Sequence, residues 1–130
     1  MTMSTLLYSA AFFAFAIGLT HSILGERYIL SRLFRKGGLP KLFGGTEFTQ
    51  ATLRFAWHLT TIAWWGFSAI LVLLANDMIT FKSLTMVISI TFLTSGIIAL
   101  VASKGKHYAW LVFSFIGAVC LYVSIVLPMH

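Results

Sequence analysis

Two histidines, one glutamate and one arginine lie where long apolar runs of this sequence begin or end, and they are the residues most capable of chemistry. His21 and Glu26 close the first apolar run, whereas Arg54 and His58 open the second. Imidazoles bind metals or haem iron and transfer protons near neutral pH, and a glutamate beside an arginine forms an ion pair. Because ionisable groups are costly inside a bilayer, such groups in apolar segments are functional candidates. The sequence therefore predicts a polar site made of His21, Glu26, Arg54 and His58.

Three interpretations of this polar site are open. In the first, the ion pair and the histidines form a structural clasp between two helices, hydrated from nearby headgroups. In the second, His21 and His58 on facing helices supply both axial ligands of a b-type haem, and Gly18 leaves room for the macrocycle. In the third, His21, His58 and Glu26, with His107 as a further candidate, hold a divalent metal or act as an acid–base centre. Neither His-x-x-x-His nor Glu-x-x-His spacing supports that ligand set. The candidate pocket lining is Gly18, Trp57, Thr61 and Trp65.

The composition indicates that membrane-spanning helices position this site. Of the 130 residues, 59% are hydrophobic and only 9% are charged, which is more apolar surface than a soluble domain of this size can bury. Four runs of about 20 residues lack acidic and basic side chains, and each can cross an apolar core about 30 Å thick. The sequence therefore predicts an all-α integral membrane four-helix bundle that forms one domain over residues 1–130. Its helices are predicted at about 5–24, continuing to about 35, and at 51–75, 83–103 and 107–127.

The distribution of basic residues predicts the orientation in the membrane. With four crossings, the connectors after the first and third helices share one side, and the two termini share the other. All lysines and arginines except Lys82 belong to the first side. By the positive-inside rule, these basic connectors are cytoplasmic and both termini are outside, in the periplasm. Attraction to anionic lipids at the cytoplasmic face then explains the net charge of +6 without a nucleic-acid partner.

Two residue patterns predict how the first two helices pack. Small residues recur at four-residue spacing in the first helix, which lets another helix approach closely and places Glu26, the next member, against that helix. Polar and aromatic residues share one face of the second helix, which is expected to point into the bundle. Because the two helices run antiparallel, His21 and His58 should lie at similar depth and Glu26 should pair with Arg54. The small residues are Ala10, Ala14, Gly18 and Ser22, and the polar face is Arg54, His58, Thr61, Trp65 and Ser68.

Two motifs carry a family resemblance, His-Ser-Ile-Leu-Gly-Glu over His21 to Glu26 and Arg-Phe-Ala-Trp-His-Leu over Arg54 to Leu59. The chain resembles a group of small, uncharacterised four-helix proteins that have His-Ser-x-Leu-Gly-Glu in helix one and Arg-x-x-Trp-His-Leu in helix two. This resemblance spans the chain, implies a multi-pass protein of the bacterial inner membrane, and carries over no chemistry.

Catalytic motifs of soluble enzymes are absent from the sequence, which has no phosphate-binding glycine loop, nucleophile elbow or paired catalytic carboxylates. The single cysteine, Cys120, excludes an internal disulfide and a thiolate-rich metal centre. We therefore expect a binding or accessory role, as a subunit of a homo-oligomer or of a larger membrane complex. The alternative is a haem- or metal-binding membrane redox protein that uses His21 and His58.

Overall fold

Four long helices and two short helical segments make up the computed structural model, which describes residues 2–126. The elements are α1 (Met3–Leu24), a π-helical segment (Gly25–Leu30), α2 (Ser31–Lys36), α3 (Glu47–Ala75), α4 (Phe81–Ser103) and α5 (Ala109–Val126). The first three follow one another without a break and form one helix of 34 residues. This helix, α3, α4 and α5 are each long and apolar enough to cross a membrane. The predicted all-helical architecture of four potential membrane spans is confirmed; residue 127 of the predicted fourth helix lies outside the described residues.

The starts of α3 and α4 differ by a few residues from the predicted ones. α4 begins at Phe81 rather than at 83 because Thr80 and Ser83 form a capping box, in which the Ser83 amide donates to Thr80 Oγ1 at 3.0 Å and the Thr80 amide donates to Ser83 Oγ at 2.8 Å. α3 begins at Glu47 rather than at 51. The Glu47 carboxylate lies in the first turn of α3, where the helix dipole favours negative charge.

The four long helices pack in series. α1 packs on α3, α3 on α4 and α4 on α5, and these are the extensive interhelical contacts among residues 2–126. The α4–α5 contact is close, because Ser89 Oγ donates to the Gly117 carbonyl at 2.8 Å and both residues are buried. The polar face of α3 therefore lies against α1 rather than in the centre of a closed bundle.

The small residues of α1 that meet α3 differ from the predicted series. Ala10 is exposed, whereas Ala11, Gly18 and Gly25 are buried. A step of four residues turns about 400° around a helix of 3.6 residues per turn and drifts about 40° away from the contact, whereas a step of seven falls only about 20° short of two turns. The prediction that Ala10 begins the contact stripe is therefore wrong, and the buried small residues follow a seven-residue spacing. Gly18, Ser22 and Glu26 of the predicted series do contact α3.

Candidate functional site

Side chains of α3 donate hydrogen bonds to backbone carbonyls of α1 along most of the length of their contact. The donor positions advance along α3 while the acceptor positions step back along α1, as antiparallel helices require. Each interhelical hydrogen bond of this kind stabilises a helix pair in a bilayer by about 0.6–2 kcal/mol. We call this set the α1–α3 ladder. It consists of Trp57 Nε1 to His21 O at 3.1 Å, Thr61 Oγ1 to Gly18 O at 3.1 Å, Trp65 Nε1 to Phe15 O at 3.1 Å and Ser68 Oγ to Ala11 O at 2.8 Å.

Glycines of the first helix make room for the ladder donors. A Cβ added at Gly18 would lie 2.9 Å from Trp65 Nε1 and 3.4 Å from the Thr61 methyl group, and one added at Gly25 would overlap the Trp57 indole. Gly18, Thr61 and Trp65, predicted to line a ligand pocket, are thus packed against one another at a helix contact. Trp57 also takes part in this contact, and one side of its ring lines a shallow cleft on the outer side of α1 and α3.

The predicted pair of Glu26 and Arg54 is present, between the π-helical segment and α3. Arg54 Nη2 lies 2.7 Å from Glu26 Oε1, and Arg54 Nε donates to Glu26 Oε2 at 3.1 Å, so that the guanidinium binds the carboxylate with two parallel bonds. His58 Nε2 lies 3.5 Å from the same Oε2, and its Nδ1 lies 2.8 Å from Ser22 Oγ. Ser22 Oγ in turn lies 2.7 Å from Thr61 Oγ1, which joins this cluster to the α1–α3 ladder. We call Ser22, Glu26, Arg54 and His58 the clasp.

His21 belongs to a different set of contacts. Its ring is stacked on Trp57 with centroids 4.4 Å apart and planes 2° apart, and it meets the edge of Trp64 at 5.0 Å. Its Nε2 lies 2.9 Å from Thr60 Oγ1. Neighbouring helix residues point about 100° apart, so His21 and Ser22, the clasp residue that contacts His58, project in different directions. The two imidazoles therefore lie at a similar level along α1 but do not face each other.

The four predicted ligand residues do not form one ligand set. Two axial haem ligands must point a ring nitrogen each at one iron, but both nitrogens of His58 contact clasp residues and Nε2 of His21 contacts Thr60 Oγ1. His107 lies at the start of α5, where it packs against Phe55 and its Nδ1 accepts from the Ala109 amide at 3.2 Å. Within residues 2–126, no group of three His, Cys, Asp or Glu side chains comes together as a metal site would require. The donor geometry thus fits neither a haem held by two histidines nor a multidentate metal centre.

The sequence does not predict the roles of three residues of this region. Ser22 is predicted as a small packing residue and a member of the first motif, but its hydroxyl links His58 to Thr61. Thr60 stands in no predicted site, and its hydroxyl contacts His21 Nε2. Gly25 is predicted only as part of the first motif, but it admits the Trp57 indole, and the seven-residue spacing from Ala11 through Gly18 is the sequence signal for it.

Comparisons of the chain with models of protein families, with curated proteins and with solved structures gave no match. The fold and the site together define an all-helical protein with four potential membrane spans. Its most polar cluster is an ion pair with hydrogen-bonded partners at the contact between two of these helices.

Proposed function

We propose that this chain is a non-catalytic, multi-pass protein of the bacterial inner membrane with a binding or accessory role. In this proposal the clasp joins the first two crossings at the cytoplasmic side, and both termini lie in the periplasm. The observation that carries the proposal is the internal pairing of the clasp: both Glu26 oxygens contact Arg54, and both ring nitrogens of His58 contact Ser22 or Glu26. Because each of these atoms has a partner on the facing helix, the clasp joins the two helices without a bound ligand.

The surfaces outside the clasp support a role in binding. Basic side chains of the π-helical segment and α2 attract the anionic lipids of the cytoplasmic leaflet. On the outer helices, Phe12, Phe13 and Phe115 are each at least 66% exposed within the chain, and in a bilayer such side chains meet lipid or another helix. These faces suit a homo-oligomer or a subunit of a larger membrane complex.

The test of the cofactor alternative is the visible spectrum and metal content of the protein purified in mild detergent. We expect no Soret band and no stoichiometric metal. A Soret band that is lost in both His21→Ala and His58→Ala would overturn the proposal in favour of a haem protein. A bound metal lost in His58→Ala and Glu26→Gln but kept in His107→Ala would overturn it in favour of a metal centre at the clasp.

The orientation is tested by labelling single cysteines in a Cys120→Ser background with a membrane-impermeant maleimide added to the periplasmic side of cells. We expect Met78→Cys, between α3 and α4, to be labelled and Lys41→Cys, between α2 and α3, to be protected. The opposite pattern would contradict the proposed topology.

A further inference from the structure

A shallow cleft of about 260 Å³ lies on the outer side of the contact between the first helix and α3. Its walls are mostly apolar and aromatic. The lining positions on the first helix extend from Ile17 to Ile29, which is about 18 Å at 1.5 Å per residue. This length matches about one leaflet of an apolar core about 30 Å thick. The larger side chains that line the cleft include Ile17, His21, Leu24, Tyr28, Trp57 and Trp64.

Two guanidinium groups flank the aromatic ring at the cytoplasmic end of this cleft. Arg27 Cζ lies 5.5 Å and Arg32 Cζ lies 5.6 Å from the centroid of the Tyr28 ring, and Tyr28 itself lines the cleft. Neither guanidinium is within 4.0 Å of a carboxylate of residues 2–126, whereas Arg54 is neutralised by Glu26. The cleft therefore ends in two uncompensated positive charges at the level where lipid headgroups begin.

Both arginines reach the same ring because Arg27 is the chain neighbour of Tyr28 and Arg32 follows Tyr28 by four residues, a spacing that places side chains on one helix face. The segment Gly25–Leu30 is π-helical. Short π-helical segments often occur at functional sites, and this one carries Arg27 and Tyr28.

We propose that this cleft binds one anionic phospholipid of the cytoplasmic leaflet. Arg27 and Arg32 bind the phosphate, since guanidinium groups form bidentate hydrogen bonds with phosphate oxygens. One acyl chain lies along the cleft against Leu24, Trp57 and Trp64. This inference rests on the proposed function and deepens it, because it assigns the general attraction to anionic lipid to one structured site.

The experiment measures quenching of tryptophan fluorescence by brominated lipid, since bromine quenches an indole that it contacts. The full chain is reconstituted in phosphatidylcholine vesicles that contain the same minor fraction of either dibrominated phosphatidylglycerol or dibrominated phosphatidylcholine. We expect stronger quenching by the anionic lipid, and we expect this preference to decrease in Trp64→Phe, which removes an indole from the cleft. The ratio of the two lipids' apparent binding constants is the measured quantity.

A charge-matched pair of variants tests the headgroup site. We expect Arg27→Gln/Arg32→Gln to lower this ratio by about tenfold or more, since loss of one hydrogen bond to a charged group changes binding by about tenfold. Arg35→Gln/Lys36→Gln removes the same charge from the same helix but no proposed phosphate contact, and it should lower the ratio by less than about threefold because exposed charges away from the phosphate are screened by salt. Equal losses in the two variants would overturn the inference and leave the proposed function standing. If the wild-type chain shows no preference for the anionic lipid, both the inferred cleft site and the attraction to anionic lipids in the proposed function are contradicted.

A second pair of variants tests the cleft itself. Thr20 lines the cleft and is exposed, whereas its exposed neighbour Leu19 does not line it. We expect Thr20→Phe to fill the cleft and abolish the preference, and Leu19→Phe to retain it, with unchanged circular dichroism in both. A preference that survives in Thr20→Phe would overturn the proposed site. If the protein is a dimer in detergent and Thr20→Phe dissociates this dimer, the occupant of the cleft is a second copy of the chain. That result would also overturn the proposed lipid site.

Discussion

Replacement of Gly25 by alanine tests whether the close approach of Trp57 stabilises the contact between the first helix and α3 near the clasp. Gly25 is buried, and an added Cβ would overlap the Trp57 indole, with the ring atom Cζ2 only 2.6 Å away. The indole must therefore move. Because Trp57 Nε1 donates to the His21 carbonyl and its ring is stacked on His21, both contacts are disturbed together.

The expected magnitude follows from three contributions. Insertion of a methyl group into a packed contact costs about 1–3 kcal/mol. Loss of one interhelical hydrogen bond costs about 0.6–1.7 kcal/mol. The higher helix propensity of alanine offsets about 1 kcal/mol of this loss. We therefore expect Gly25→Ala to lower the free energy of unfolding by roughly 1–4 kcal/mol.

The measurement is unfolding in mixed micelles by titration with sodium dodecyl sulphate, followed by circular dichroism. A double-mutant cycle with Trp57→Ala supplies the control, since Gly25→Ala should cost little once the indole is absent. Strict additivity of the two changes, or a Gly25→Ala protein as stable as the wild type, would refute the proposed role of this contact.

Three further predictions concern the helix contacts, and the same titration measures each. Glu26→Gln and Arg54→Met should each lower the free energy of unfolding by about 1 kcal/mol. The double variant should lose less than the sum of the two, because each single change leaves one partner unpaired. Additive losses would contradict the proposed pairing of Glu26 with Arg54. Ser68→Ala should lower stability by about 0.6–1.7 kcal/mol, because it removes a ladder bond to the Ala11 carbonyl, whereas Ser9→Ala, an exposed serine that bonds within its own helix, should be nearly neutral. Gly117→Ala should lower stability by about 1–3 kcal/mol, since the added Cβ would lie 2.6 Å from Leu93 Cγ and 2.9 Å from the Leu93 backbone nitrogen; a Gly117→Ala protein of wild-type stability would show that α4 and α5 can separate without cost.

The number of helices and the pairing of Glu26 with Arg54 could be predicted because each depends on counting residues along the chain. Apolar runs of about 20 residues have few alternatives to a spanning helix. Antiparallel helices with charged residues near the same ends bring those residues to similar depth, so an ion pair follows from position alone. The direction of each histidine ring does not follow from position, because it depends on which of two neighbouring residues meets the other helix. His21 and Ser22 differ by one position, yet His21 is stacked on Trp57 and Ser22 contacts His58.

The π-helical segment begins beside a close contact with α3. The His21 carbonyl accepts from the Gly25 amide at the end of α1 and also from the Trp57 indole of α3. A side chain that enters the hydrogen-bond pattern of a helix is a known cause of local distortion, and only the lack of a side chain at Gly25 lets the indole come so close. The helix changes to π geometry at this residue. Arg32 follows Tyr28 by four residues and Arg27 directly precedes it, so the grouping of both arginines on this ring agrees with the sequence spacing, whereas the position of the π-helical segment is not encoded in that spacing.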